Sequence, residues 1–126
     1  MLPRTLKLNS PQQFTRVIRG GSRAGTRTLV VHLRPASKAG HTEPKIAQPR
    51  GPRFGFVVSK AVGNAVVRHA VTRKLRQQCL HLARAGVVGE GEELVVRALP
   101  AIASVDSRAI YGDLCRAVAK ARRREK

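Results

Sequence analysis

The chain has 126 residues, 25 of them Lys or Arg against 7 Asp or Glu, for a formal charge of +18. That length suits one domain spanning residues 1–126 with a single core, and the charge suits a compact protein that works beside a polyanion, nucleic acid before anionic membrane. No stretch approaches the roughly 20 apolar residues that span a bilayer, and the start MLPRTLKLNS lacks the apolar centre of a secretion signal, so a soluble, cytoplasmic chain with no membrane partner is expected.

The first element announces itself at Ser10-Pro11-Gln12-Gln13, which combines a Ser cap, a Pro at the first helical position and a Gln placed to close a capping box. The helix it predicts sets Phe14, Val17 and Ile18 on one face and stops at Gly20-Gly21. Thr28 to Leu33 is rich in β-branched residues and predicts a strand. Residues 35–52 carry Pro, Gly, Ala, Lys and His without sustained periodicity and predict a mobile loop between two antiparallel strands, with Lys45 to Gln48 a candidate extra strand.

Phe54 to Val58 is a short apolar strand. A turn at Gly63 follows, and Asn64 is placed to cap a helix running to about Arg84. At about 100° per residue, Val67, Val71, Leu75, Cys79 and Leu82 form one stripe, His69, Arg73 and Arg76 gather opposite, and Arg68 and Lys74 flank the two edges. Gly86, Gly89 and Gly91 mark the exit, Glu93 to Ala98 reads as a strand ended by Pro100, and a last helix begins after Ser104 or Asp106. Its apolar positions Ile110, Leu114, Ala117, Val118 and Ala121 run into a basic tail over residues 120–126. The order α-β-β-(β)-α-β-α predicts an α/β chain, an α+β two-layer sandwich with helices packed on a small, mostly antiparallel sheet.

Side-chain chemistry is sparse. Only Glu90 to Glu93 cluster among the acids, too few to hold a pair of metal ions about 4 Å apart. His32, His41, His69 and His81 are scattered, and Cys79 and Cys115 have no partner at metal-binding spacing. No phosphate-binding glycine pattern occurs. The residues therefore predict binding, with no catalytic residue and no metal site on the protein.

The run FGFVVSKAVGNAVVRHAVTRKLRQ, with an LPR start before it and LVVRALP after it, resembles the protein subunit of bacterial ribonuclease P over nearly the whole chain. The resemblance implies a left-handed crossover between parallel strands around the basic helix. It also implies a catalytic RNA subunit as partner and precursor tRNA as substrate, whose 5′ leader that RNA removes. The chain alone is then non-catalytic, magnesium is held by RNA and substrate, and no further protein partner is required.

Carried over by position, the resemblance places RNA-subunit contacts at Lys60, Asn64, Arg68, His69, Arg73, Lys74 and Arg76. The family's Arg-Asn-Arg reads Arg68, His69, Ala70 here, so one cation and the Asn amide are lost. Leader contacts fall on Phe14, Ile18 and His32, the last two standing where many members have Phe and Tyr, with charge from Arg16 and Arg27. A ribosomal or other structural RNA-binding protein is the competing expectation. A helix-turn-helix DNA regulator fits less well, because a strand precedes the basic helix and no partner helix stands a short turn before it.

Overall fold

The computed structural model describes residues 7–8, 10–35 and 52–124. Its elements are α1 (Pro11–Gly20), β1 (Ser22–Gly25), β2 (Leu29–Arg34), β3 (Arg53–Val57), α2 (Ala65–Arg84), β4 (Glu93–Ala98), a 3-10 turn (Pro100–Ser104) and α3 (Ser107–Arg124). The expected loop at 35–52, with its candidate strand at Lys45 to Gln48, falls almost wholly outside the described residues.

The four strands lie in the order β1-β2-β4-β3. β4 pairs antiparallel with β2 and parallel with β3, so β3-α2-β4 is a crossover unit between adjacent parallel strands. β2 and β3 run in opposite directions, as expected, but β4 stands between them.

One sheet face is the main core. Leu29, Val31 and Leu33 of β2, Phe54 of β3, and Leu94 and Val96 of β4 meet Val71, Leu75, Cys79 and Leu82 of α2 and Ile110, Leu114, Ala117 and Val118 of α3. The apolar stripe expected of α2 is thus the buried one, with Val67 packed at its margin.

α1 lies on the opposite face, where Val17 packs with Leu8 and Val95, and Phe14 and Val57 lean on them. The helices therefore divide between the two faces, with α1 covering only part of its own. The predicted capping box is present: Ser10 Oγ accepts from the Gln13 amide and Gln13 Oε1 from the Ser10 amide, both at 3.2 Å.

Two features escaped sequence reading. β1 has the composition Ser-Arg-Ala-Gly, with only Ala24 buried, and it is a strand because β2 pairs with it. The basic end is no loose tail as far as Arg124: Lys120 donates to the Gly25 carbonyl at 3.3 Å, and Arg124 to the Arg23 carbonyl at 2.6 Å. Arg122 holds both oxygens of Glu92 at 2.7 and 2.8 Å.

Candidate nucleic-acid interface

The site grows from the way α2 starts. Asn64 Oδ1 accepts from the Val67 amide at 3.0 Å, satisfying an amide that the first turn leaves open. A Cβ at Gly63 would stand 2.8 Å from Val67 Cβ, so the turn into the helix has room only for glycine. The carbonyl of Asn64 is thereby spent as a cap, while Lys60 stands exposed in the turn before it.

From that start, Arg68, Thr72 and Arg76 recur at intervals of four along the flank of α2 that faces the β3 edge. Arg68, His69, Thr72 and Arg76 line a hollow of about 310 Å³ with Val58 and Ala65. A second cleft, also about 310 Å³, shares Val58, Thr72 and Arg76 with it as lining residues, and is otherwise walled by Phe14, Phe54, Gly55, Phe56, Lys7 and Leu8. The Nε atoms of Arg68 and Arg76 are buried and have no hydrogen-bond acceptor among the described residues. Buried donors without acceptors are costly, and a phosphate oxygen reaching this hollow would satisfy them while meeting both charges.

His69 and Arg73 are exposed on the outward face of α2, and helical spacing puts Lys74, half-buried, on the far flank. The expected RNA contacts therefore wrap around three sides of the helix. Helix α2 contains no acid. Among the described residues, four of the five carboxylates are committed elsewhere: Glu92 to Arg122, Glu93 to Arg16 and Arg34, Asp113 to Arg116 and Thr28, and Asp106 to the Ala109 amide at the start of α3, while Glu90 is exposed in the turn before β4.

The α1 face of the sheet is ordered in rows across the strands. The first reads Arg53, Glu93, Arg34; the second Gly55, Val95, His32, Arg23; the third Val57, Arg97, Val30, Gly25. Phe14 lies over Gly55 in the second row, where a Cβ would come within 2.5 Å of its ring. His32 is two strands away in that row, roughly 10 Å at the usual strand spacing.

Burial lowers the His32 pKa, and the charges of Arg23 and Arg97 lower it further. Its Nδ1 is buried and has no hydrogen-bond partner among the described residues. Burial and the two neighbouring cations thus favour the neutral imidazole. Arg23 and Arg97 were missed in the sequence, because only strand register brings them beside His32.

The remaining expected leader residues are spread out. Ile18 is 43% exposed on α1, and Arg27 is exposed in the β1–β2 turn, outside the Phe14 cleft. Arg16 donates to Glu93 at 2.6 Å, which directs it to the first row of the sheet. Thr72 and Lys7 line the cleft without having been singled out. Cys79 is fully buried, and burial pushes its thiol up, which excludes it as a nucleophile.

A family model described as Ribonuclease P matches residues 2–122. A protein of Corynebacterium glutamicum named "Ribonuclease P protein component" is 41% identical over 128 residues, covering 98% of this chain and 96% of that relative. One of the same name from Corynebacterium diphtheriae is 43% identical over 124 residues, covering 98% of this chain and 99% of that relative. The solved RNase P protein of Staphylococcus aureus superposes with a TM-score of 0.68 at 21% identity, over 92% of this chain and 94% of that one. At that identity the superposition speaks for the fold.

Proposed function

Because the chain belongs to the ribonuclease P protein family, we propose that it docks on the catalytic RNA through α2 and holds the single-stranded 5′ leader of precursor tRNA in the cleft beside it. The protein component works as part of a ribonucleoprotein endoribonuclease, so its contribution is placement of RNA. One observation carries this reading. The acid-free helix α2 presents Arg68 and Arg76, with buried donors that lack acceptors among the described residues, in a hollow that shares Val58, Thr72 and Arg76 with the Phe14–Gly55 cleft.

In this reading Lys60, Arg68, His69, Arg73 and Lys74 meet phosphates of the RNA subunit. These contacts set affinity and orientation without reading sequence. Asn64 contributes chiefly by starting the helix. Phe14 offers a ring for a base, with Ile18 and His32 farther along the same sheet face, and Arg76 stands where the two surfaces join. Arg27 lies beyond the cleft and reaches only a leader that continues past the β1–β2 turn.

Magnesium belongs with the RNA and substrate. Among the described residues Glu92, Glu93 and Asp113 are each held by a guanidinium and Asp106 by a helix amide, and no three metal-ligating side chains come together. No step is therefore assigned to a protein-bound ion.

The test is reconstitution at low magnesium of precursor tRNA and the cognate RNA, with and without this chain. The expected result is faster 5′-leader removal when the chain is present and no cleavage by the chain alone. Cleavage by rigorously RNA-free protein, or no effect on the RNA reaction, would overturn the reading.

A further inference from the structure

The salt bridge between Arg16 and Glu93 joins the helix that carries Phe14 to the sheet that carries Gly55. Helix α1 has ten residues, short of the roughly 12–15 at which an isolated helix becomes even marginally stable in water. Its place is therefore set by tertiary contacts. Val17 is fully buried against Leu8 and Val95, and Phe14 leans on the same cluster. Gly21 supplies a tight approach at the helix end, where a Cβ would lie 2.7 Å from the Leu33 carbonyl oxygen. These contacts hold the side of α1 that carries Phe14 and Val17, and at helical spacing Arg16 falls about 100° from Val17, on the flank away from Phe14.

Arg16 supplies a polar constraint on that second flank. Its Nη2 meets Glu93 Oε2 at 2.6 Å, while Arg34 Nη1 meets Oε1 at 2.9 Å. The Glu93 and Arg34 side chains are 6% and 8% exposed and lie on neighbouring strands in register, so their pair belongs to the sheet. Arg16 comes to that pair from another element, and 31% of its side chain remains exposed. Phe14 precedes Arg16 by two residues on the same short helix.

We propose that the Arg16–Glu93 bridge is a positioning contact that sets the rotation of α1 and so holds the Phe14 ring over Gly55, making Arg16 and Glu93 positioning residues for leader binding. The inference rests on the reading of the Phe14 cleft as the leader site. It reassigns Arg16: the guanidinium acts on the leader through the helix, while Glu93 stays neutralised by Arg34 on its other oxygen.

Two roles for Arg16 predict opposite behaviour. If Arg16 held a leader phosphate directly, Glu93→Gln would release it for that work and leave leader affinity unchanged or improved. A positioning contact requires Glu93→Gln to weaken leader binding as Arg16→Ala does. It also requires the double variant to be no worse than either single one, since the same contact is lost each time.

The experiment uses the reconstituted holoenzyme and measures affinity for precursor tRNA with a leader relative to mature tRNA, across a salt series. Arg16→Ala and Glu93→Gln are each expected to lower that ratio roughly fivefold or more, the lower end of a lost base–aromatic stack. Arg16→Lys is expected to recover part of it. KM for precursor should rise, kcat at saturation and affinity for the catalytic RNA should hold, and the salt slope should stay as in the parent.

A salt slope reduced by about one in Arg16→Ala, with Glu93→Gln unchanged or tighter, overturns the proposal in favour of direct phosphate contact. Should Glu93→Gln fail to fold because Arg34 is left buried, Arg16→Ala decides the matter through its salt slope. Phe14→Ala serves as the reference. If it lowers the ratio and Arg16→Ala does not, the positioning role fails alone; if Phe14→Ala has no effect, the cleft is not the leader site and both readings fall.

Discussion

The ring of Phe14 occupies the space that a side chain at position 55 would need: a Cβ on Gly55 would lie 2.5 Å from Phe14 Cζ and 3.0 Å from Leu8 Cδ1. The absence of a side chain at position 55 of β3 is thus what allows an aromatic residue of α1 to come directly against the strand. The cleft has the shape it does because of both residues together.

Gly55→Val is therefore expected to expel the Phe14 ring. Overpacking of this kind costs about 1–3 kcal/mol, and here the half-buried ring can move, so the lower half of that range is expected in urea denaturation. The larger effect should fall on discrimination between precursor with a leader and mature tRNA. Retained discrimination would show that the ring's position over β3 is irrelevant to binding.

Arg68→Ala and Arg73→Ala should each weaken binding to the catalytic RNA and reduce the dependence of log K on log salt by about one, as loss of one phosphate contact does. Filter binding between 50 and 300 mM salt, values on the order of those used to resolve such slopes, makes the comparison. Arg68→Ala should also disturb the leader cleft because its hollow shares Val58, Thr72 and Arg76 with it; Arg73→Ala, which lines neither, should not.

His32 gives the fold a pH dependence whose sign is fixed by its surroundings. Its folded pKa lies below the ordinary value of 6.5, from burial first and then from Arg23 and Arg97. The unfolded chain thus takes the proton first, so stability is full above pH 6.5 and falls as pH drops through 6.5 toward the folded value. His32→Gln should flatten this slope in denaturation curves taken from neutral to mildly acidic pH.

Asp113 ties α3 to the start of β2 through the Thr28 hydroxyl and also holds Arg116. Burial pushes its carboxyl up, but the Thr28 and Arg116 hydrogen bonds, the Arg116 charge and Thr26 outweigh this and hold it below its ordinary 3.8. Its contribution is present above pH 3.8 and lost as pH falls through the folded value. Asp113→Asn should cost about 1–3 kcal/mol near neutral pH, a difference from the parent that disappears in strong acid. A constant difference at all pH values would mean the carboxylate charge contributes nothing.

Helix α2 was legible because its signals are local: a cap at Asn64, an apolar stripe at helical spacing and cations on the remaining surface. The same holds for the Ser10 capping box. What the sequence concealed depends on partners far along the chain. Arg16 and Glu93 are 77 positions apart, and Arg124 reaches the Arg23 carbonyl across 101. A cation that pairs internally looks the same in a sequence as one left for RNA. β1 was hidden for a related reason, since Ser-Arg-Ala-Gly becomes a strand only beside β2. Arg23 and Arg97 gain their place next to His32 through register alone.

The cations of α3 that hold the β1 carbonyls have a further consequence. An outer strand with unpaired backbone groups is a template on which a second chain can add. Lys120 and Arg124 occupy the Gly25 and Arg23 carbonyls at one margin of the sheet, and at the other the Leu8 amide donates to the Phe54 carbonyl at 2.8 Å. Both margins thus carry groups that occupy outward-facing carbonyls, one of the ways in which sheet edges resist pairing with a second chain.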